Sequence, residues 1–129
     1  MFTISLNRVR DQIAVKEGEQ EIILTVDSDA NTLVRRLKKS KETMDAVNEQ
    51  TTEEQKLEAA RELASAIFGD EQAEALILFY SENAGNVAEV CARYFEDRLC
   101  EMITKAQIKA GKREQRNWDR KMRRAVKGW

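Results

Sequence analysis

The sequence predicts an α+β fold, mostly α: an N-terminal β-hairpin or three-stranded meander packed on a bundle of four helices, followed by a basic helix or tail. Three observations carry that expectation. Apolar and polar side chains alternate through residues 2–26, apolar residues recur at helical spacing from about 28 to 110, and proline is absent from all 129 residues. At ~5% usage about six prolines would be expected. Proline removes a helix donor and clashes with the preceding turn, so its absence favours long uninterrupted helices.

Phe2, Ile4 and Leu6 alternate with Thr3, Ser5 and Asn7, the period of a half-buried strand. Ile13 and Val15 continue the alternation, and Ile22, Leu24 and Val26 resume it with Ile23 and Thr25 on the other face. Between the last two runs, Glu17-Gly18-Glu19-Gln20 reads as a four-residue connection whose glycine is free to take positive φ. Two strands alone are marginal in water, so this sheet must lean on helices.

Asp27-Ser28-Asp29 offers side-chain oxygens to the free N–H groups of a helix start, predicting a helix over about 28–48 with Leu33, Val34, Leu37, Met44 and Val47 along one side. Thr51 and Glu54 have the spacing of a capping box and open a second helix over 52–68. It carries Leu57, Ala60, Leu63, Ala64, Ile67 and Phe68 on one face, and Gly69 stops it. Asp70 caps a third helix over 70–82. Its run Leu76-Ile77-Leu78-Phe79-Tyr80 turns through more than a full circle, which predicts a helix central to the core or one whose second face a partner covers. Asn86 caps the last helix, over 87–110, with Val87, Val90, Cys91, Tyr94, Phe95, Leu99, Met102, Ile103 and Ala106 as its stripe. One domain over residues 1–110 suits a chain of this size.

Charge divides the chain. Residues 105–129 hold ten Lys/Arg against Glu114 and Asp119, net +8, while residues 1–104 hold the other 12 of 22 basic and 21 of 23 acidic residues, net −9. Past Gly111, Trp118, Met122, Ala125, Val126 and Trp129 recur at i, i+4, i+7, i+8 and i+11, with Arg116, Arg120, Arg123 and Arg124 elsewhere on the wheel. Residues 111–129 therefore read as a basic amphipathic tail. Such a tail is suited to an acidic partner, a nucleic acid, a membrane surface or the acidic body of its own chain.

Catalytic chemistry has little to work with. Histidine is absent, which removes the commonest general base near neutral pH and any Ser/His or Cys/His mechanism. Cys91 and Cys100, nine residues apart on one helix, lie on opposite faces and about 13 Å apart along its axis, too far for a disulfide and unsuited to a thiolate metal site. The five glycines match neither a dinucleotide fingerprint nor a P-loop. Glu58 and Glu62 share a helix face beside Arg61 and Lys56 and read as solvated charges. No catalytic residue, metal or cofactor is expected. No stretch approaches the ~20 apolar residues of a membrane span, and Met1–Arg10 lacks a signal-peptide pattern, so a cytoplasmic protein is expected.

A helix closing on Phe68-Gly69, a fresh one opening on Asp70-Glu71-Gln72, and a long last helix with Tyr94-Phe95 and a basic exit at Lys105, Lys109, Lys112 and Arg113 follow short N-terminal strands. Over residues 1–112 this layout resembles the tail assembly chaperones of long-tailed phages and prophages of Gram-positive bacteria. The resemblance implies a non-catalytic protein of the host bacterial cytoplasm that binds the tape measure protein, a very long helical chain, keeps it soluble during tail morphogenesis, and self-associates into homo-oligomers. Leu76, Phe79, Tyr80, Tyr94 and Phe95 are then the expected partner-facing side chains, joined by Trp118, Met122 and Trp129 of the tail. A small nucleic-acid-binding protein is the competing expectation, with the tail arginines on phosphates and the tryptophans stacking on bases.

Overall fold

A computed structural model describes residues 7–107 together with Arg120, Lys121, Arg123 and Arg124. The alternation at Phe2–Leu6 that suggested a third strand, and Arg116, Trp118, Met122 and Trp129 of the tail, lie outside the described residues. The described chain is α+β and mostly helical: β1 (Arg8–Glu17), β2 (Gln20–Asp29), α1 (Ala30–Asp45), α2 (Glu53–Phe68), α3 (Asp70–Phe79), α4 (Ala84–Tyr94), a π-helical turn (Phe95–Leu99) and α5 (Cys100–Ala106).

β1 and β2 form an antiparallel hairpin in register from Arg8 opposite Asp29 to Glu17 opposite Gln20. The connection is two residues, Gly18-Glu19, rather than the four expected, and Gly18 has φ +61°. A two-residue hairpin turn with positive φ at its first position matches the right-handed twist of the strands, and glycine adopts that backbone without a Cβ clash. Period-2 geometry puts Val9, Ile13 and Val15 on the same face as Ile22, Leu24 and Val26. That face lies on the helices, with Val9, Val15, Leu24 and Val26 buried, while Ile23 and Thr25 point outward as the alternation predicts.

The free edge of β2 is closed by a side chain. Gln72 Oε1 accepts from Thr25 N–H at 2.7 Å, and Gln72 Nε2 donates to the Thr25 carbonyl at 2.8 Å and to the Phe68 carbonyl at 2.6 Å. One primary amide thus supplies the donor and acceptor that a neighbouring strand would have supplied.

Strand passes into helix with no loop. Asp29 ends β2 and caps α1, its carboxylate accepting from the N–H groups of Asn31 and Thr32 and from the Thr32 hydroxyl at 2.9 Å. Thr32 is the main reason its pKa lies below the ordinary value. At α2 the capping box is one residue later than the sequence suggested. Thr52 Oγ1 accepts from Gln55 N–H at 3.1 Å and Gln55 Oε1 accepts from Thr52 N–H at 3.1 Å. Thr51 instead closes the preceding turn, donating and accepting around Asn48. Asp70 does not cap α3. Gly69, at φ +90°, is the junction residue of α2 and α3, and Asp70 accepts from the Ser65 hydroxyl. The last helix starts three residues before its expected origin: Asn83 is the cap, accepting from Asn86 N–H at 2.9 Å, so Asn86 lies inside α4.

The central helix is α2, not α3. Ala59, Ala60, Leu63, Ala64, Ala66, Ile67 and Phe68 are all buried, and α2 touches α1, α3, α4 and β2. Its alanines let four neighbours approach closely. The apolar run at the end of α3 divides instead, with Leu76 and Ile77 buried and Leu78 70% exposed.

The last rod carries Val87, Cys91, Phe95, Leu99 and Ile103, all buried and each four residues from the next. At 3.6 residues per turn a spacing of four drifts by about 40° per step, so five such positions would wind off the core face. The π turn reverses that drift. Cys100 N–H reaches the Phe95 carbonyl, five residues back, and the extra residue returns Leu99 and Ile103 to the core.

Candidate interaction surfaces

Burial removes several expected partner-facing side chains from the surface. Leu76, Tyr94 and Phe95 sit inside the protein's own core, Tyr94 stacking on Phe68 with ring centroids 5.7 Å apart. Phe79 and Tyr80 are half-buried and meet edge to face at 5.1 Å. Leu78 was not among the residues expected to face a partner. Ala73, Leu76, Ile77 and Tyr80 follow the i, i+3, i+4, i+7 pattern of the buried face, which leaves Leu78 out of phase with the core; that phase was the signal available in the sequence.

The C-terminus of α3 presents this apolar group on a defined turn. Glu82 N–H donates to the Ile77 carbonyl at 2.9 Å and Ser81 N–H to the Leu78 carbonyl at 3.0 Å. These are the paired 6→1 and 5→2 bonds of a Schellman motif, with Ser81 (φ +53°) in the left-handed position that glycine usually fills, and Glu82 also left-handed at φ +65°. Burial, then the charges of Glu17 and Glu89, pushes the Tyr80 hydroxyl pKa up. Carboxylates at the end of β1 and in α4 therefore border this end of α3. The outer face of the hairpin adds Ile23, 47% exposed.

A second surface is an open groove of about 900 Å³ between α1, α2 and the start of α3, lined in part by Arg36, Lys39, Glu58, Arg61, Glu62 and Glu74. Its carboxylates are engaged. Arg61 Nε donates to Glu74 Oε1 at 2.5 Å and its guanidinium also meets Glu58, while Thr43 donates to Glu62 at 2.8 Å. The Glu58 and Glu62 pair is thus split between Arg61 and Thr43, as ordinary surface charges are.

One ionic cluster is built into the fold. Asp11 sits on the inner face of β1 between Val9 and Ile13, its side chain only 5% exposed. It accepts from Tyr94 Oη at 2.8 Å and from Arg98 Nε at 2.6 Å and Nη2 at 2.8 Å. Burial pushes the Asp11 pKa up, but hydrogen bonds from Arg98 and Tyr94 outweigh it, and the carboxyl lies below its ordinary value. Tyr94 is pushed up by burial and by its bond to Asp11. These shifts hold Asp11 charged and Tyr94 neutral, the states of a structural clamp rather than of an acid–base pair poised near neutrality.

Cys91 and Cys100 are both buried free thiols, and burial pushes Cys91 up to about 12. Among the described residues no group of three or more His, Cys, Asp or Glu is placed to hold a metal ion, and no helix is long and apolar enough to cross a membrane. Of the tail, Arg120, Lys121, Arg123 and Arg124 are helical and exposed. The chain matches no protein-family model, no curated protein and no solved structure.

Proposed function

We propose that this protein is a non-catalytic assembly chaperone that holds a long helical partner, with the tape measure protein of a phage tail as that partner and self-association as its resting form. The observation that carries the reading is Leu78, 70% exposed beside the half-buried Phe79–Tyr80 pair at the end of α3. An exposed leucine flanked by aromatic edges gives an amphipathic helix an apolar anchor. One small anchor makes a contact that is readily reversed, which suits a partner that must later be handed on.

Co-expression with a tape measure protein from a long-tailed phage of Gram-positive bacteria tests this. The reading expects the partner to remain soluble with the wild-type chain and to precipitate with Leu78→Asp, a change at an exposed site that leaves the helical circular dichroism intact. A partner that is equally insoluble with both chains sinks the reading.

Nucleic-acid binding is the second reading, favoured by the exposed helical Arg120, Lys121 and Arg124. It expects affinity for single-stranded DNA that falls steeply with salt through counterion release. The net charge of −9 on residues 1–104 opposes it.

A further inference from the structure

We infer that the helix anchored on α3 is a basic amphipathic one: its apolar seam covers Leu78, and lysine or arginine on its flanks meets carboxylates that α3 and its surroundings leave without partners. The inference rests on the proposed anchoring role of Leu78 and adds the chemistry of what it anchors. Leu78 stands on an acidic surface. From Asp70 to Ala92 the chain carries five carboxylates, Asp70, Glu71, Glu74, Glu82 and Glu89, and no lysine or arginine. Glu71, Glu74 and Ala75 fall within about 60° of Leu78 around α3, and all four are exposed. They form its outer stripe, since Ala73, Leu76 and Ile77 are turned into the core. Glu74 is held by Arg61, but Glu71 and Glu82 make no ion pair among the described residues. Glu17, at the end of β1, adds a carboxylate near Tyr80, and so does Glu89, which is bridged to Arg93. The cations of the adjacent hairpin are already engaged, Lys16 with Glu21, and Arg8 and Arg10 with Asp27.

Backbone and charge together select this occupant. An extended segment needs backbone groups to pair with, and Gln72 already closes the edge of β2 beside α3. A helix satisfies its own backbone and docks through side chains alone. Its seam is drawn to Leu78, which with Ile23 makes up the large apolar side chains left exposed among the described residues; only Leu78 stands in the acidic stripe. The flanks are then set by complementarity. An acidic helix, a nucleic acid or an anionic lipid surface would meet like charge there. A second copy presenting the same stripe across a two-fold axis would set carboxylates against carboxylates. Lysine or arginine about one and two turns from the residue over Leu78 would stand beside Glu74 and Glu71, which lie four and seven residues before it.

Two labelled helical peptides test it by fluorescence anisotropy against the full chain. They have equal length and the same leucine seam, and differ only in carrying lysine or glutamate on its flanks. The lysine peptide should bind several-fold more tightly than the glutamate peptide at low salt, and the gap should narrow at high salt. Leu78→Ser, a neutral change at an exposed site, should weaken the lysine peptide several-fold. Glu71→Gln combined with Glu82→Gln should also weaken the lysine peptide while leaving the glutamate peptide bound no less tightly. Both positions are exposed, so helical circular dichroism should not change. Equal binding of the two peptides that Leu78→Ser abolishes overturns the inference and leaves Leu78 standing as an anchor. Binding of the lysine peptide that Leu78→Ser does not weaken places it elsewhere on the acidic body and overturns the inference. Failure of both peptides to bind overturns it and removes the anchor as well.

Discussion

Asp11 and Arg98 are 87 residues apart in sequence, yet the guanidinium grips the carboxylate through two hydrogen bonds, at 2.6 and 2.8 Å. The pair joins the hairpin to the last helical rod. Arg98 lies on the π turn, so the same extra residue that returns Leu99 and Ile103 to the core also sets where the guanidinium stands. Asp11 is 5% exposed and Arg98 61%, so the carboxylate is the partner that depends on the bond.

The first prediction concerns proton binding at Asp11. Its folded pKa is lowered, so the unfolded chain takes up the proton first as pH falls. The stability it contributes is fully present above the usual carboxylate range and is lost as pH falls below about 4 toward the folded pKa. Asp27, held down by its hydrogen bond from Arg8, and Asp29 shift the same way, so acid unfolding alone does not isolate Asp11. Arg98→Ala does. Burial acts upward on Asp11 and Arg98 is the strongest influence opposing it, so without Arg98 the carboxyl should titrate higher than in the wild-type chain. The variant should be less stable at neutral pH, because the buried carboxylate keeps its charge and loses two of its hydrogen bonds. Site-resolved carbon NMR of the Asp11 carboxyl reads the direction of the shift, and an unchanged titration would refute it.

Gln72 gives the second prediction. Gln72→Ala removes the group that accepts from Thr25 N–H and donates to the Thr25 and Phe68 carbonyls. The free edge of β2 then opens to water, at a cost of about 1–2 kcal/mol. Gln72→Glu should not rescue it, since a carboxylate accepts from Thr25 N–H but donates to neither carbonyl. Amide exchange at Thr25 should quicken in both variants while that of the core of α2 changes only with global stability.

Much of this architecture is legible in the residues. The strand alternation gives the inward set of both strands, and the spacing of Val87, Cys91, Phe95, Leu99 and Ile103 marks the buried face of the last rod. That steady spacing of four also contained the π turn, which a straight α-helical reading passes over. Caps were placed to within one to three residues, because Thr51-Thr52 and Asn83–Asn86 each offer several side chains able to accept from the same free N–H groups, and only the local backbone selects one. Asp11 and Gln72 were not legible as tertiary contacts. Each bonds to a residue at least 47 positions away, and nothing local distinguishes a buried carboxylate or amide from a solvated one. On the interaction surface the apolar run at the end of α3 drew attention, but which of its side chains leaves the core depended on the phase of that helix against α2.

Ser40 supplies a prediction of the opposite sign. Its side chain is fully buried on α1, and its hydroxyl meets no hydrogen-bond partner among the described residues. A buried hydroxyl without a partner forfeits its hydration and recovers nothing. Ser40→Ala removes that oxygen at little change in volume and should stabilise the fold by about 1 kcal/mol. Calorimetry should show a melting point higher by roughly 3–5 °C. A lower melting point would mean that the hydroxyl is bonded after all.

The turn after α3 offers the last prediction. Ser81 occupies the left-handed position of a Schellman motif at φ +53°, where the Cβ of an L-residue crowds the following carbonyl at a cost of about 1–2 kcal/mol. Glycine removes that crowding but adds freedom to the unfolded chain, which returns part of the gain. Ser81→Gly should therefore stabilise by a net of about 0.5–1 kcal/mol in urea unfolding. Gly18→Ala, at φ +61° in the hairpin turn with nothing within 4 Å of the new Cβ, isolates the backbone effect in reverse and should destabilise by about 1 kcal/mol. If strain at Ser81 serves to hold Leu78 outward, Ser81→Gly will raise stability and weaken partner binding together. If it raises stability and leaves binding unchanged, the left-handed serine is tolerated strain that the rest of the fold supports.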